Sequence, residues 1–122
     1  MAIALDIMKG GFSAGSARAI GGQVHPTVSA AGTAITDATD LRASINVITT
    51  AAASSGVQLP NVEIGDEVEI LNLGANAVTV YPDTSSNRIN NLTAGSGFLL
   101  GTNTAVKVKK YTTTRWMAFL SA

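Results

Sequence analysis

Apolar and polar residues alternate in short runs along most of this chain, and the clearest run lies between residues 65 and 81. Val68 and Ile70 alternate with Glu67 and Glu69, then Val78 and Val80 with Thr79 and Tyr81. A period of two is the signature of a strand with one buried face. Asn72, Gly74 and Asn76 separate the two runs and tolerate positive φ, which predicts a hairpin joining neighbouring strands. Pro82-Asp83 ends the second strand, because proline offers no N–H to a ladder. Downstream, Val106 and Val108 alternate with Lys107 and Lys109, and Trp116-Met117-Ala118-Phe119-Leu120 closes the pattern as an apolar strand. Upstream, Leu41, Ala43, Ile45 and Val47 alternate with Arg42, Ser44 and Asn46, and Val57-Gln58-Leu59 is a short strand stopped by Pro60. Residues 27–36, 88–92 and 98–100 favour extended structure without strong alternation. Ala51-Ala52-Ala53 is cut short by Ser54-Ser55-Gly56 before a helix could be stable.

About eight short strands, turn clusters at close intervals and no convincing helix predict an all-β fold. The expected form is a small antiparallel β-sandwich or jelly-roll-like barrel with an extended N-terminal arm. No internal repeat of solenoid period is visible. The expected core takes the apolar phase of the strongest strands: Val68, Ile70, Val78, Val80, Val106, Val108 and Trp116.

Residues 1–26 differ from the β-sandwich domain expected over 27–122. Gly10-Gly11, Gly15 and Gly21-Gly22 interrupt them every few positions. Ile3, Leu5, Ile7, Met8, Phe12 and Ile20 are large and apolar but follow no sustained period. Such a segment buries too little surface to order itself, yet its spaced side chains suit docking into grooves of a partner. Arg18 and Lys9 could pair with acidic groups there. The plain alternative is an unstructured tail. His25-Pro26 reads as the hinge into the folded part.

Composition narrows the function classes. The chain has 122 residues, enough for one domain with a core. Eight basic residues balance eight acidic ones, and charged residues make up 13%, about half the usual share. Binding to nucleic acid needs a basic excess that is missing here. A positive mean hydropathy with so little charge implies that a partner covers part of the surface. The absence of cysteine excludes disulfides and thiolate metal sites. Met1 to Lys9 lack a basic start and are interrupted by Asp6, so they do not read as a signal peptide. No window approaches 18 uninterrupted apolar residues, so no membrane partner is expected.

Candidate chemistry is sparse. A Ser-His-Asp arrangement would need His25, the only histidine, which sits beside the expected arm, and zinc or iron sites usually need several His or Cys. Glu63, Asp66, Glu67 and Glu69 form an acidic cluster without calcium-loop spacing, and a solvated strand face is the simpler reading. Gly95-Ser96-Gly97 is too short for a phosphate loop. Lys107, Lys109 and Lys110 read as an exposed strand face. The sequon Asn91-Leu92-Thr93 is read as chance. No catalytic, cofactor or metal site is expected, and the chain is not read as an enzyme.

Several segments resemble small virion proteins of tailed bacteriophages. They are Ala17-Arg18-Ala19-Ile20-Gly21-Gly22-Gln23-Val24, Thr27-Val28-Ser29-Ala30-Ala31-Gly32-Thr33 and Ile45-Asn46-Val47-Ile48-Thr49-Thr50, then Asn72 to Pro82 and Trp116 to Ala122. The chain is similar in these to capsid decoration (cement) proteins and related head proteins. That resemblance implies an all-β fold, a homotrimer, and binding to the major capsid protein on the outer capsid surface, with no catalytic residues. Ile3, Leu5, Ile7, Met8, Phe12, Arg18 and Ile20 then become the expected capsid-binding residues. The competing reading is the β domain of a tail or fibre component that binds a host receptor. Its sugar-contacting aromatics would have to come from Tyr81, Tyr111 and Trp116.

Overall fold

A computed structural model describes residues 23–121. Ten strands run β1 Val24–Ala30, β2 Thr39–Asp40, β3 Ile45–Ala51, β4 Gly56–Gln58, β5 Glu67–Asn72, β6 Val78–Tyr81, β7 Arg88–Ile89, β8 Phe98–Leu100, β9 Thr104–Lys110 and β10 Arg115–Leu120. The described residues are all-β, as the alternation predicts.

The strands form two sheets, a six-stranded one in the order β1-β3-β5-β9-β10-β7 and a four-stranded one in the order β2-β4-β6-β8. Successive strands from β1 to β6 switch from one sheet to the other. β1, β3 and β5 therefore pair in parallel, as do β2, β4 and β6. Three coils stack in solenoid-like fashion, each contributing one strand to each sheet. The antiparallel strands β8 and β9 then close the stack on β6 and β5, and β10 pairs with β9. Five of the eight strand pairings are parallel, including β7 with β10, which departs from the expected antiparallel arrangement.

The expected hairpin between β5 and β6 is not formed. β5 lies in the larger sheet and β6 in the smaller one, so the segment between them is a corner between sheets. Asn72, Gly74 and Asn76 are not among the positive-φ residues. Their side chains serve the corner by hydrogen bonding. Asn72 Nδ2 donates to the carbonyls of Asn76 at 2.9 Å and Leu100 at 3.0 Å, while its Oδ1 accepts from Gly74 N–H at 2.9 Å. Asn76 Nδ2 donates to Ala51 O of the preceding coil at 2.9 Å. A Cβ at Gly74 would come within 2.6 Å of the Ala51 Cβ, so the coil spacing at this corner requires glycine. The stacking escapes notice in the sequence because the coils differ in length. Val24 pairs with Ile45 and Ile45 with Glu69, spacings of 21 and 24 residues, whereas Thr39 to Val57 to Val80 gives 18 and 23.

One core fills the space between the sheets. Val28, Ile48, Val68, Ile70, Val106, Val108 and Trp116 enter from the larger sheet, and Val57, Val78, Val80 and Leu100 from the smaller. All seven expected core residues are buried. Each large aliphatic side chain removed from water contributes about 1.5–3 kcal/mol.

Two boundaries differ from expectation. β1 begins at Val24, so His25 and Pro26 lie inside a strand rather than at a hinge. Pro26 is tolerated because β1 is an edge strand, and the register shifts between His25 and Val28. In β3 the burial phase inverts. Leu41 and Ala43 are buried before the strand, but within it Asn46 and Ile48 point inward while Ile45 and Val47 turn outward. Asn46 Nδ2 donates to Ala43 O at 2.8 Å, which turns the chain and shifts the phase by one residue.

Candidate functional site

The expected capsid-binding residues Ile3, Leu5, Ile7, Met8, Phe12, Arg18 and Ile20 lie outside the described residues. Within them, three features stand out for their chemistry.

The first is a buried polar cluster around Asp83. Pro82 stops β6 and delivers the Asp83 carboxylate into the end of the core, where its side chain is only 2% exposed. Lys110, at the end of β9, places Nζ 3.1 Å from Asp83 Oδ2. Trp116 Nε1 donates to Oδ1 at 2.9 Å, and Asn87 Nδ2 donates to the same oxygen at 2.7 Å. The Lys110 ammonium also sits 5.8 Å from the Trp116 ring centroid, within cation–π range. Burial pushes the Asp83 pKa up. The hydrogen bonds from Trp116, Asn87 and Lys110, with the Lys110 charge, outweigh it and hold the carboxyl below its ordinary value. The cluster joins the end of β6 in the smaller sheet to β9 and β10 in the larger one. Gln58 Nε2 adds β4 to it by donating to Asp83 O at 2.9 Å. With every Asp83 oxygen engaged by donors, the arrangement suits a latch between sheets rather than proton transfer.

Lys110 corrects the expectation of an exposed triple-lysine face. It is buried, on the same side of β9 as Val106 and Val108. The parity of the strand carried that signal, since 106, 108 and 110 share one face.

The second feature is the acidic and basic ladder on the outer face of the larger sheet. Glu67 pairs across the strands with Lys109, and Glu69 with Lys107. Lys107 Nζ lies 3.6 Å from both Glu67 and Glu69, and Lys109 Nζ lies 3.8 Å from Glu67. All four side chains are about half exposed. The solvated strand face anticipated for Glu67 and Glu69 is therefore neutralised by the neighbouring strand. Glu63 and Asp66 are held apart from them in a turn, where Asp66 Oδ2 accepts from Glu63 N–H at 3.1 Å. Among the described residues, no group of three His, Cys, Asp or Glu side chains is arranged to hold a metal ion.

The third feature is an open groove on that same outer face, where Ile45, Val47, Leu71, Ala105 and Phe119 surround the Glu69–Lys107 pair. Phe119 is 55% exposed. The sequence hides this belt because the β3 phase inversion turns two β-branched residues outward where alternation from Leu41 placed them inward. Of the three aromatics considered for sugar contact, Trp116 is fully buried. Tyr81 is half-buried and donates its hydroxyl to Thr33 O at 3.2 Å, which leaves Tyr111 exposed.

Comparison with protein-family models, curated proteins and solved structures returned no match for this chain.

Proposed function

We propose that this chain is a structural virion protein that binds the outer surface of a phage capsid and stabilises the assembled head. In this reading it acts as a homotrimer, its partner is the major capsid protein, and it is not an enzyme. It engages neither nucleic acid nor membrane. The observation that carries the reading is the resemblance of Ala17 to Val24, Asn72 to Pro82 and Trp116 to Ala122 to head decoration proteins. The form of the molecule supports it. A small two-sheet body, sandwich-like in enclosing one core, combines a neutral charge balance with an uncovered apolar belt. Such a body is fitted for adhesion to a repeating surface, where weak contacts multiply through avidity.

The arm supplies the attachment in this reading. Each large side chain seated in a shell groove contributes about 1.5–3 kcal/mol. Ordering the backbone opposes this by about 1–2 kcal/mol per residue. One arm therefore binds weakly, and multiple attachment provides the rest.

The decisive experiment counts copies in purified virions and measures decoration of bare heads by the full chain and by a triple variant, Ile3→Asp, Leu5→Asp and Ile7→Asp. Hundreds of copies per particle and a loss of most occupancy in the variant are expected. A handful of copies would instead favour a tail or fibre component, for which Tyr111 and Phe119 are the exposed aromatics among the described residues.

A further inference from the structure

We propose that residues 3–22 form a further coil of the stack, with residues 3–9 lying parallel to β1 along its free edge. The occupant of that edge is this chain's own N-terminal segment, which precedes the described residues.

The edge itself is the first reason. Four strands end the two sheets, β1 and β7 in the larger and β2 and β8 in the smaller. β2 and β7 have two residues each and β8 has three, which offers little to another strand. β1 has seven residues, and its first four are exposed. An edge of that length presents a row of backbone groups ready to pair. Pro26 leaves one gap in the row, at the place where the register of β1 against β3 already shifts.

Spacing and composition identify the occupant. Parallel neighbours need a crossover of about a dozen residues or more. Fourteen residues, 31–44, lead from β1 to β3, and residues 10–23 supply the same number ahead of β1. The spacing of 21 that takes Val24 to Ile45 also takes Ile3 to Val24. It takes Gly11 to Gly32, which turns the chain after β1 with a φ of 79°. It takes Ile20 to Leu41, which is buried where the chain leaves β2. Residues 3–9 contain neither glycine nor proline, and Ile3, Leu5 and Ile7 share one face of an extended strand. A short tether also holds this segment near the edge at a concentration that free partners rarely reach.

The proposal concerns the free chain and does not rest on the shell reading. Ile3, Leu5 and Ile7 cannot line this coil and fill a shell groove together, so attachment to a head requires the coil to open.

The test is amide hydrogen exchange of the full chain in solution without heads, read residue by residue by NMR. A strand at the edge of a parallel sheet turns alternate residues toward its neighbour. Every second amide within residues 3–9 should therefore exchange about tenfold or more slowly than those between them. A disulfide trap reads the register. The chain has no cysteine, so Ala4→Cys with His25→Cys, separated by the same spacing of 21, should close within one chain under mild oxidation. Ala4→Cys with Leu99→Cys, on the far edge of the smaller sheet, should not close. Exchange is read on the wild type, so it decides even where a cysteine variant fails to fold. Uniformly fast exchange across residues 3–9 would overturn the proposal, and so would protection of consecutive amides, which marks a helix. Closure between chains would overturn the assignment to the chain's own segment, and equal closure by both pairs would overturn the register.

Discussion

Strand β9 carries three lysines within four residues, and the two faces of the strand treat them differently. Lys107 and Lys109 face outward, half exposed, and meet Glu67 and Glu69 at 3.6–3.8 Å. Lys110 faces inward and meets Asp83 at 3.1 Å, with both side chains nearly sealed from water. The distances differ by little, but the expected energies differ several-fold. Exposed pairs contribute about 0.2–1 kcal/mol, because water and salt screen them and their side chains lose entropy on pairing. For the buried pair the two charges have already lost their hydration, so removing either partner strands the other. Burial rather than separation sets the rank of these contacts.

The sharpest way to break the comparison is to remove one buried partner. Asp83→Ala leaves the Lys110 ammonium, the Trp116 indole N–H and the Asn87 amide without their acceptor. It should lower stability by about 3–5 kcal/mol, read from chemical denaturation. The double variant Asp83→Leu with Lys110→Met should recover most of that loss, since an apolar replacement leaves no charge buried alone. A double variant as unstable as the single would mean that the latch geometry, not charge burial, dominates.

A smaller effect separates the ring of Trp116 from its N–H. Trp116→Ala empties a fully buried site and should cost about 3–5 kcal/mol. Trp116→Phe retains an aromatic ring but removes the donor to a charged acceptor, for an expected loss of about 1.5–3 kcal/mol. Equal losses in the two variants would show that the hydrogen bond to Asp83 carries the whole effect.

Acid titration sharpens the same contrast. The Asp83 carboxyl is held below its ordinary value in the folded chain, so the folded state binds fewer protons there than the unfolded state. Its contribution is fully present above the unfolded value, near pH 4, and is lost as pH falls through the lower folded value. The melting temperature should therefore drop below about pH 4 in the wild type, and the drop should shrink in the Asp83→Leu, Lys110→Met double variant. An identical acid profile in the two would place the acid sensitivity elsewhere.

The smallest effect belongs to the outer ladder. Glu69→Gln should change the stability of the isolated chain by less than about 1 kcal/mol, and the difference should fade as salt is raised from 0.05 to about 1 M. A salt-insensitive loss of more than that would remove the distinction between the two faces.

Local patterning determined much of this molecule. Period-two alternation at Val68-Ile70, Val78-Val80 and Val106-Val108 specifies strands and their inner faces, because a strand places every second side chain on one side whatever it pairs with. The all-β class follows from that repetition and from turn residues too frequent for helices. Even the burial of Lys110 was legible, since it shares parity with Val106 and Val108. Pairing partners were not legible in the same way. Asn72 to Ala77 suits a hairpin loop in isolation. Only the stacking of coils makes the Asn72 and Asn76 side chains more useful as donors to the Leu100 and Ala51 carbonyls than as turn formers. The phase inversion at Asn46 has the same origin, in a corner between sheets. Strand identity is written in neighbouring residues, whereas the choice of partner strand depends on contacts between residues some 20 positions apart, and unequal corners hide that spacing from any fixed repeat. The apolar belt of Ile45, Val47, Leu71 and Phe119 exists only once those partners are chosen.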